Sequence, residues 1–352
     1  MAGAQVELYA SSFAYGRLAA PEGYVRNELF YRAALGSPGS RVRRLSKLAE
    51  HVPDMLRYRH AARAADVVHF QWLAVQHVDR WLLPSRRSGR AGVRPLVLTA
   101  HDVLPREPRA GQLSAMRRLY ERFDAVVVHS EHGRGRLSEL GVPPERVHVI
   151  PHGVFAHLTE PRGGAVPPGP ALQTDKPVVL FFGLIRPYKG LEVLLDAWRG
   201  IEDAELWIVG MPKMDISRLR SAAPSGVRFV TRFVSDGELA GYFERADLVV
   251  APYLQADQSG VLFTALAFGK PLLLSDVGGF PELERTGAAQ IVPAGDSRAL
   301  ARALRELLSD RATLTKMCVK ARAATDGHYS WESVAQAHLA LYERLLEEGP
   351  RR

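Results

Sequence analysis

One order of segments recurs along this chain and limits what it can fold into. Short apolar runs, Lys176–Gly183, Glu205–Gly210 and Ala246–Tyr253 in the second half, each lead into a glycine or polar loop and then into residues of helical period. Runs this short and apolar throughout read as parallel strands buried on both faces, with helices as the crossovers. The first half repeats the pattern at Gln5–Ala10, Asp66–Trp72, Pro95–Ala100, Phe123–Ser130 and Arg146–Val154, with a helix expected from near Tyr24. The fold class that follows is α/β with doubly wound parallel sheets. The pattern stops in the Pro- and Gly-rich stretch Glu160–Asp175, and 352 residues exceed one ordinary core, so two domains are expected. Residues 1–160 form the first, 161–175 the linker and 176–329 the second, followed by a terminal helical segment, 330–352.

With 47% hydrophobic and 24% charged residues there is material for buried sheets, and the formal net charge of +8 favours anionic partners. Charge alone leaves nucleic acid, anionic lipid and phosphorylated small molecules open. The single cysteine, Cys318, excludes an internal disulfide and a Cys-rich metal site. The N-terminus lacks the basic start and apolar run of a signal peptide, and no stretch reaches the length of a membrane span. A cytoplasmic protein is expected, with any membrane contact peripheral.

The most informative stretch is Ala246–Leu283, read as strand, loop, helix, strand, turn, helix. At its centre Gln258-Ser259-Gly260-Val261 hands a polar loop to an apolar helix. Ser259 is a natural N-cap, Gly260 and Val261 offer amides with no helical acceptor, and Gly269-Lys270-Pro271 stops the helix. Such a helix end can seat a phosphate without a metal. The plain alternative is a well-capped helix. Arg186 and Lys189, three apart in the loop after Gly183, suit a diphosphate by a guanidinium fork and a reaching ammonium. Phe233 and Val234 precede a helix start and offer backbone groups to a nucleobase. Gly16 lies in the first loop, where open parallel sheets meet ligands. His101 ends a buried strand and points a proton-relaying group at the same edge, as His69 does on its own strand; each could equally be a hydrogen-bonded core histidine. Between Val25 and Ala65, arginines and lysines interleave with leucines, a pattern of either an anionic membrane surface or a solvated helix face.

Several chemistries lack their signatures. No G-x-G-x-x-G follows a strand, and there is no Walker sequence, H-E-x-x-H pair or G-x-S-x-G elbow. An Asp-x-Asp pair suited to holding a metal against a diphosphate is absent as well.

Taken together, TAHDVLP, FDAVVVHSEHGRGRLSELGVPPERVHVIPHGV, VVLFFGLIRPYKGLEVLLDAW, ADLVVAPY, QSGVLFTALAFGKPLLLSDVGGFPEL and YSWESVA resemble the family-4 retaining glycosyltransferases. The resemblance implies the GT-B fold, two Rossmann-like domains facing a central cleft, with the C-terminal helix crossing back to the N-terminal domain. It makes Gly183, Arg186 and Lys189 the donor-diphosphate loop and Ser259, Gly260 and Val261 the backbone donors to the distal phosphate. His101 matches the histidine near the transferred sugar, and Glu282 an acidic residue of structural rather than reactive type. The sequence departs from the family in one respect: two glutamates eight positions apart are replaced by Ala256 and Thr264, a Gln-Ser-Gly-Val variant in which Gln258 would take sugar contacts and Thr264 a weaker ribose contact. His152 also replaces the more usual asparagine of the Pro-x-Gly turn.

The activity implied is metal-independent transfer of a hexosyl unit, with retention, from a UDP- or GDP-sugar to an acceptor hydroxyl. No cofactor is expected, and no nucleic acid. The acceptor would be a glycan, a lipid-linked sugar or a small glycoside, the protein residing in the cytoplasm or peripherally at the inner face of the cell membrane. The missing glutamates keep a second class open, a catalytically inactive scaffold that binds a sugar nucleotide or serves a partner. An epimerase or a phosphorylase would keep the fold and change the chemistry.

Overall fold

The structure, a computed structural model, describes residues 3–11, 23–37, 40–85, 94–104, 111–160, 164–166, 169 and 172–348. The chain divides into two compact units. The first comprises Met1–Val128, Arg134–Val149 and Ala335–Arg352, and the second His129–Gly133 and Ile150–Val334.

In the first unit β1 (Glu7–Ser11) and β2 (Val25–Phe30) form a two-stranded parallel sheet of their own. The helix expected from Tyr24 is therefore a strand. Val25-Arg-Asn-Glu-Leu-Phe pairs with β1 in parallel, Leu8 opposite Arg26. Tyr31, the only described non-glycine residue with positive φ (58°), ends the strand. The helix starts later, where the Ser40 hydroxyl accepts the Arg43 amide (3.2 Å) and caps α1 (Arg41–Ala61). Then come β3 (Val68–Phe70), α2 (Gln76–Leu82), β4 (Leu96–Thr99), α3 (Gln112–Tyr120), β5 (Ala125–Val128), α4 (Glu131–Glu139) and β6 (Val147–Val149). Strands β3-β4-β5-β6 pair in that order, all parallel. Val97, Phe123 and Val126 are fully buried in this core. Arg94 is buried, its guanidinium donating to the carbonyls of Ala65 (3.0 Å), Arg63 (2.7 Å) and Ser85 (3.3 Å). Three carbonyl acceptors offset much of the cost of desolvating that charge.

Helix α1 carries two apolar faces. Met55 and Tyr58 pack into the core, whereas Leu45, Leu48, Val52 and Leu56 recur at helical spacing on an exposed stripe. Arg41 and Arg44 are exposed on the same helix.

The second unit holds a six-stranded parallel sheet in the order β12-β11-β10-β7-β8-β9. Its strands are β7 (Val178–Phe182), β8 (Glu205–Val209), β9 (Val227–Val230), β10 (Leu248–Ala251), β11 (Leu272–Ser275) and β12 (Ala289–Val292). The connecting helices are α5 (Leu191–Ala197), α6 (Ser217–Ser221), α7 (Asp236–Arg245) and α8 (Gly260–Ala267), with α9 (Ser297–Ser309) and α10 (Arg311–Asp326) after the sheet. The apolar runs that announced these strands are its core: Val178–Phe181, Leu206–Val209 and Leu248–Ala251 are buried. The order reverses between β7 and β10, and at such a switch point the loops beyond the strand ends diverge and leave room for a ligand. The last helix, α11 (Trp331–Glu348), packs within the first unit from Ala335 onward: Tyr342 Oη lies 2.5 Å from Nδ1 of His69 on β3.

Candidate anion-binding site

The loops after β7 and β10 build a basic, glycine-lined seat within the second unit. Strand β7 ends at Gly183 (φ 109°), whose amide still pairs with Val209 (2.9 Å). At Gly210 on the neighbouring strand, a Cβ would lie 2.0 Å from the Gly183 carbonyl oxygen, so the two strand ends meet backbone to backbone. The chain then makes a single 3-10 turn, Pro187–Lys189, closed by Gly190 in the left-handed region (φ 68°). That closure packs Gly190 against the next loop, where a Cβ would lie 1.9 Å from the Pro252 carbonyl. A side chain fits neither the conformation nor the space.

This turn points Lys189 inward. It is only 6% exposed, an unusual state for a lysine, and its Nζ stands 4.8 Å from the centre of the Tyr253 ring. A Cβ on Gly183 would lie 2.9 Å from that Nζ and 3.4 Å from Val261 Cγ2. Gly183, Lys189 and the start of α8 are thus brought to one place. Arg186, at the head of the same turn, is exposed.

At the other side of the seat Ser259 holds the N-cap position of α8 in extended conformation, but its hydroxyl makes no capping bond. It lies 3.4 Å from the Tyr253 hydroxyl instead. The expected side-chain cap is absent, and the first backbone bond of the turn runs from Leu262 N to Ser259 O (3.1 Å). Among the described residues the Gly260 and Val261 amides have no acceptor, the state an anion-binding helix start requires. Gln258 Oε1 is buried with no hydrogen-bond partner among the described residues, an acceptor a ligand hydroxyl would satisfy. Thr264 is buried, and its hydroxyl donates to the Gly260 carbonyl one turn back (3.1 Å), a helix-internal bond.

The turn that carries Gln258 is fixed from behind by the second glycine pair. Gly278 has φ 55°, and a Cβ there would lie 1.9 Å from the Ala256 carbonyl; a Cβ on Gly279 would meet Gln258 Nε2 and Ser130 Cβ, each at 2.7 Å. Ser130 accepts the Gly133 amide (3.1 Å) and Glu282 accepts the His132 amide (3.1 Å), so two side chains satisfy the start of α4. Glu282 serves here as an acceptor for backbone at a helix start. Beside the seat, Phe155 approaches Gly260, where a Cβ would lie 3.2 Å from its ring. His152 stacks on Phe263 (centroids 5.0 Å apart, planes at 26°), and burial pushes its imidazole below the ordinary histidine range despite the Gly153 carbonyl. Phe233 is 68% exposed, its carbonyl taken by Arg232 (2.9 Å), and it precedes the Ser235–Glu238 capping box that starts α7.

Two expected residues stand apart from this group. His101 belongs to the first unit, just beyond β4, with Nε2 3.0 Å from Gln71 Oε1. Gly16 lies outside the described residues. Sequence reasoning missed Tyr253, Gly190, Gly210 and Phe155, although Tyr253 stood in a quoted motif; its ring acquires meaning only when Lys189 is brought over it. Among the described residues there is no cluster of three or more His, Cys, Asp or Glu side chains able to hold a metal, and no helix long and apolar enough to cross a membrane.

Two parallel-sheet units, one ending in a lysine-bearing glycine loop against a helix start, define a GT-B glycosyltransferase, and comparison with known proteins agrees. Residues 1–156 match the family described as Glycosyltransferase Family 4, and residues 176–310 match Glycosyl transferases group 1. The chain belongs to the family-4 glycosyltransferases. It is 38% identical over 183 residues to the phosphatidyl-myo-inositol mannosyltransferase of Mycobacterium leprae, a match spanning 49% of this chain and about half (48%) of that protein. It is 28% identical to the D-inositol 3-phosphate glycosyltransferase of Kineococcus radiotolerans over 82% of this chain and 74% of that one. To the GDP-mannose:glycolipid 4-beta-D-mannosyltransferase of Xanthomonas campestris it is 27% identical, over 87% and 89% of the two chains. Among solved structures, sucrose-phosphate synthase from Thermosynechococcus elongatus superposes with a TM-score of 0.73 at 21% identity, covering 99% of this chain and 90% of that one. The Anabaena protein HepE in complex with UDP-glucose gives 0.66 at 20% identity, over 85% and 84%. These structural likenesses establish the fold.

Proposed function

We propose that the protein transfers a hexosyl unit from a nucleoside-diphosphate sugar to an acceptor hydroxyl with retention of configuration and without a metal. The observation that carries this reading is the convergence of the buried Lys189, Gly183 and Val261 on the open amides of α8. Departure of the nucleoside diphosphate concentrates negative charge on its distal phosphate. Preorganised amides and an ammonium aimed at that oxygen lower the barrier because they need no reorganisation as the charge develops. Arg186 adds a second cation, Gln258 Oε1 accepts a sugar hydroxyl, and Phe233 and Val234 border the base. The departing phosphate receives the acceptor proton on the same face, so no protein nucleophile is needed.

The named relatives act on inositol-based and glycolipid acceptors, and two are mannosyltransferases. A lipid-linked or inositol-type acceptor fits this chain, and the exposed leucine stripe of α1 beside Arg41 and Arg44 supports peripheral contact with an anionic inner membrane face. The test is a panel of nucleotide sugars with a glycolipid and an inositol phosphate as acceptors, the product's anomeric configuration being read by NMR coupling. Transfer with retention is expected. Saturable donor binding with neither transfer nor donor hydrolysis would instead identify an inactive sugar-nucleotide scaffold.

A further inference from the structure

A capping side chain holds the first free amides of α1, α7, α9 and α10. Ser40, Ser235, Asp296 and Asp310 each accept the amide three residues on, from Arg43 (3.2 Å), Glu238 (3.4 Å), Ala299 (2.9 Å) and Thr313 (3.0 Å). Ser259 occupies the same place before α8, in the extended conformation of an N-cap, yet its side chain makes no such bond. Rotation about a single side-chain torsion would bring the hydroxyl to the amides of Val261 and Leu262. Its Oγ stands instead 3.4 Å from the Tyr253 hydroxyl. Tyr253 is fixed where it stands: it is 2% exposed, its ring packs against Phe280 (centroids 5.4 Å apart) and Tyr188 (6.1 Å), and its carbonyl accepts the Ser275 hydroxyl (2.5 Å).

We propose that Tyr253 is a positioning residue that keeps the Ser259 hydroxyl off the start of α8 and so reserves the amides there for a phosphate of the nucleoside diphosphate. The inference rests on the reading of that helix start as the diphosphate seat. A serine cap and a phosphate oxygen compete for the same N–H groups, and the cap, being part of the chain, is always at hand. Holding the hydroxyl elsewhere leaves the empty protein short of one capping bond and spares the ligand from displacing it, so the seat is preorganised at some loss of stability. A separation of 3.4 Å is long for two hydroxyls. The two side-chain positions of Ser259 are therefore close in free energy, and removing the Tyr253 hydroxyl is enough to change which one is occupied.

The experiment is a double-substitution cycle in the full chain, read by thermal melting without ligand and by calorimetric titration with UDP, GDP and inorganic pyrophosphate. In the wild type, Ser259→Ala is expected to leave the melting temperature in place, because no cap is lost. Made on top of Tyr253→Phe, the same substitution lowers it by about 2–4 °C, the worth of one cap in a domain of this size, since the released hydroxyl has by then become a cap. Tyr253→Phe keeps the ring over Lys189, yet weakens each probe that the wild type binds by at least about fivefold, and adding Ser259→Ala brings the affinity back to within about twofold of wild type. A mere loss of packing at Tyr253 would not be repaired by removing a second hydroxyl. An equal effect of Ser259→Ala on melting in both backgrounds, or a binding defect in Tyr253→Phe that Ser259→Ala leaves unrepaired, overturns the proposal. Melting as expected, with no saturable binding of any probe to the wild type, instead overturns the reading of α8 as a diphosphate seat.

Discussion

The Lys189 ammonium lies over the Tyr253 ring at 4.8 Å, and the hydroxyl of that same ring is 3.4 Å from the hydroxyl of Ser259. One buried tyrosine thus connects the cation of the first loop to the helix start of the second. The ring supplies the lysine with a polarisable face in place of water. It also accounts for the Ser259 side chain turning away from the helix it begins.

The two cations should separate by experiment. Arg186→Ala and Lys189→Ala are each expected to lower turnover at least about tenfold, roughly 1.4 kcal/mol in the barrier. Because Arg186 is exposed and Lys189 buried, only the lysine variant should also change the melting temperature. Wild-type rates in both, measured with a donor known to be used, would remove them from the mechanism.

Ser259→Ala should be nearly silent in stability, within about 0.5 kcal/mol, because no capping bond is lost. Turnover should stay within about tenfold, since the amides rather than the hydroxyl would meet the phosphate. A loss of a hundredfold or more assigns the hydroxyl a direct role.

Gly190→Ala and Gly278→Ala should be severe. Each places a Cβ 1.9 Å from a carbonyl oxygen at positive φ, and the left-handed conformation alone costs about 1–2 kcal/mol. Thermal melts and nucleotide binding should both fall. Gly260→Ala meets only the edge of the Phe155 ring at 3.2 Å, so it should fold and weaken the nucleotide. A fully stable Gly190→Ala would mean that the two loops are not packed as described.

Acid should destabilise the second unit through His152. Its folded-state pKa is pushed down by burial, so the unfolded chain takes up the proton first. The stabilising contribution is complete above the ordinary histidine value of about 6.5 and declines as pH falls below it, by at most about 1.4 kcal/mol per pH unit. The groups that face the ring are His129, Phe155, Phe263 and Trp331. Denaturant melts between pH 7.5 and 5 should show a shallower decline in His152→Asn, and an identical slope would assign the effect to another group.

Leu45→Glu combined with Leu48→Glu should abolish sedimentation with anionic vesicles and leave the melting temperature unchanged, since both side chains are exposed. Equal sedimentation of variant and wild type would leave α1 with a solvated face and favour a soluble acceptor.

The strands of the second unit were legible because Val178–Phe182, Glu205–Val209 and Leu248–Ala251 are apolar runs with clear punctuation at their ends. Strand β2 was not, since Arg26, Asn27 and Glu28 give it the composition of a helix surface and only its pairing with β1 makes it a strand. The seat was legible as a spacing of glycine, cation and Ser-Gly. Local preference made Ser259 a side-chain cap, and a competing partner, the Tyr253 hydroxyl, decided otherwise. Contacts such as His69 with Tyr342, 273 positions apart, leave no trace in local pattern.

The membership of Ala335–Arg352 in the first unit bears on how the molecule is made. During synthesis the earliest residues emerge long before the helix that completes their polar cluster, and everything in the second unit must be translated in between. A nascent first unit therefore waits with His69 lacking the Tyr342 hydroxyl, and premature termination anywhere after residue 160 should release a chain that chaperones retain and proteases clear, however well its nucleotide-binding half has formed.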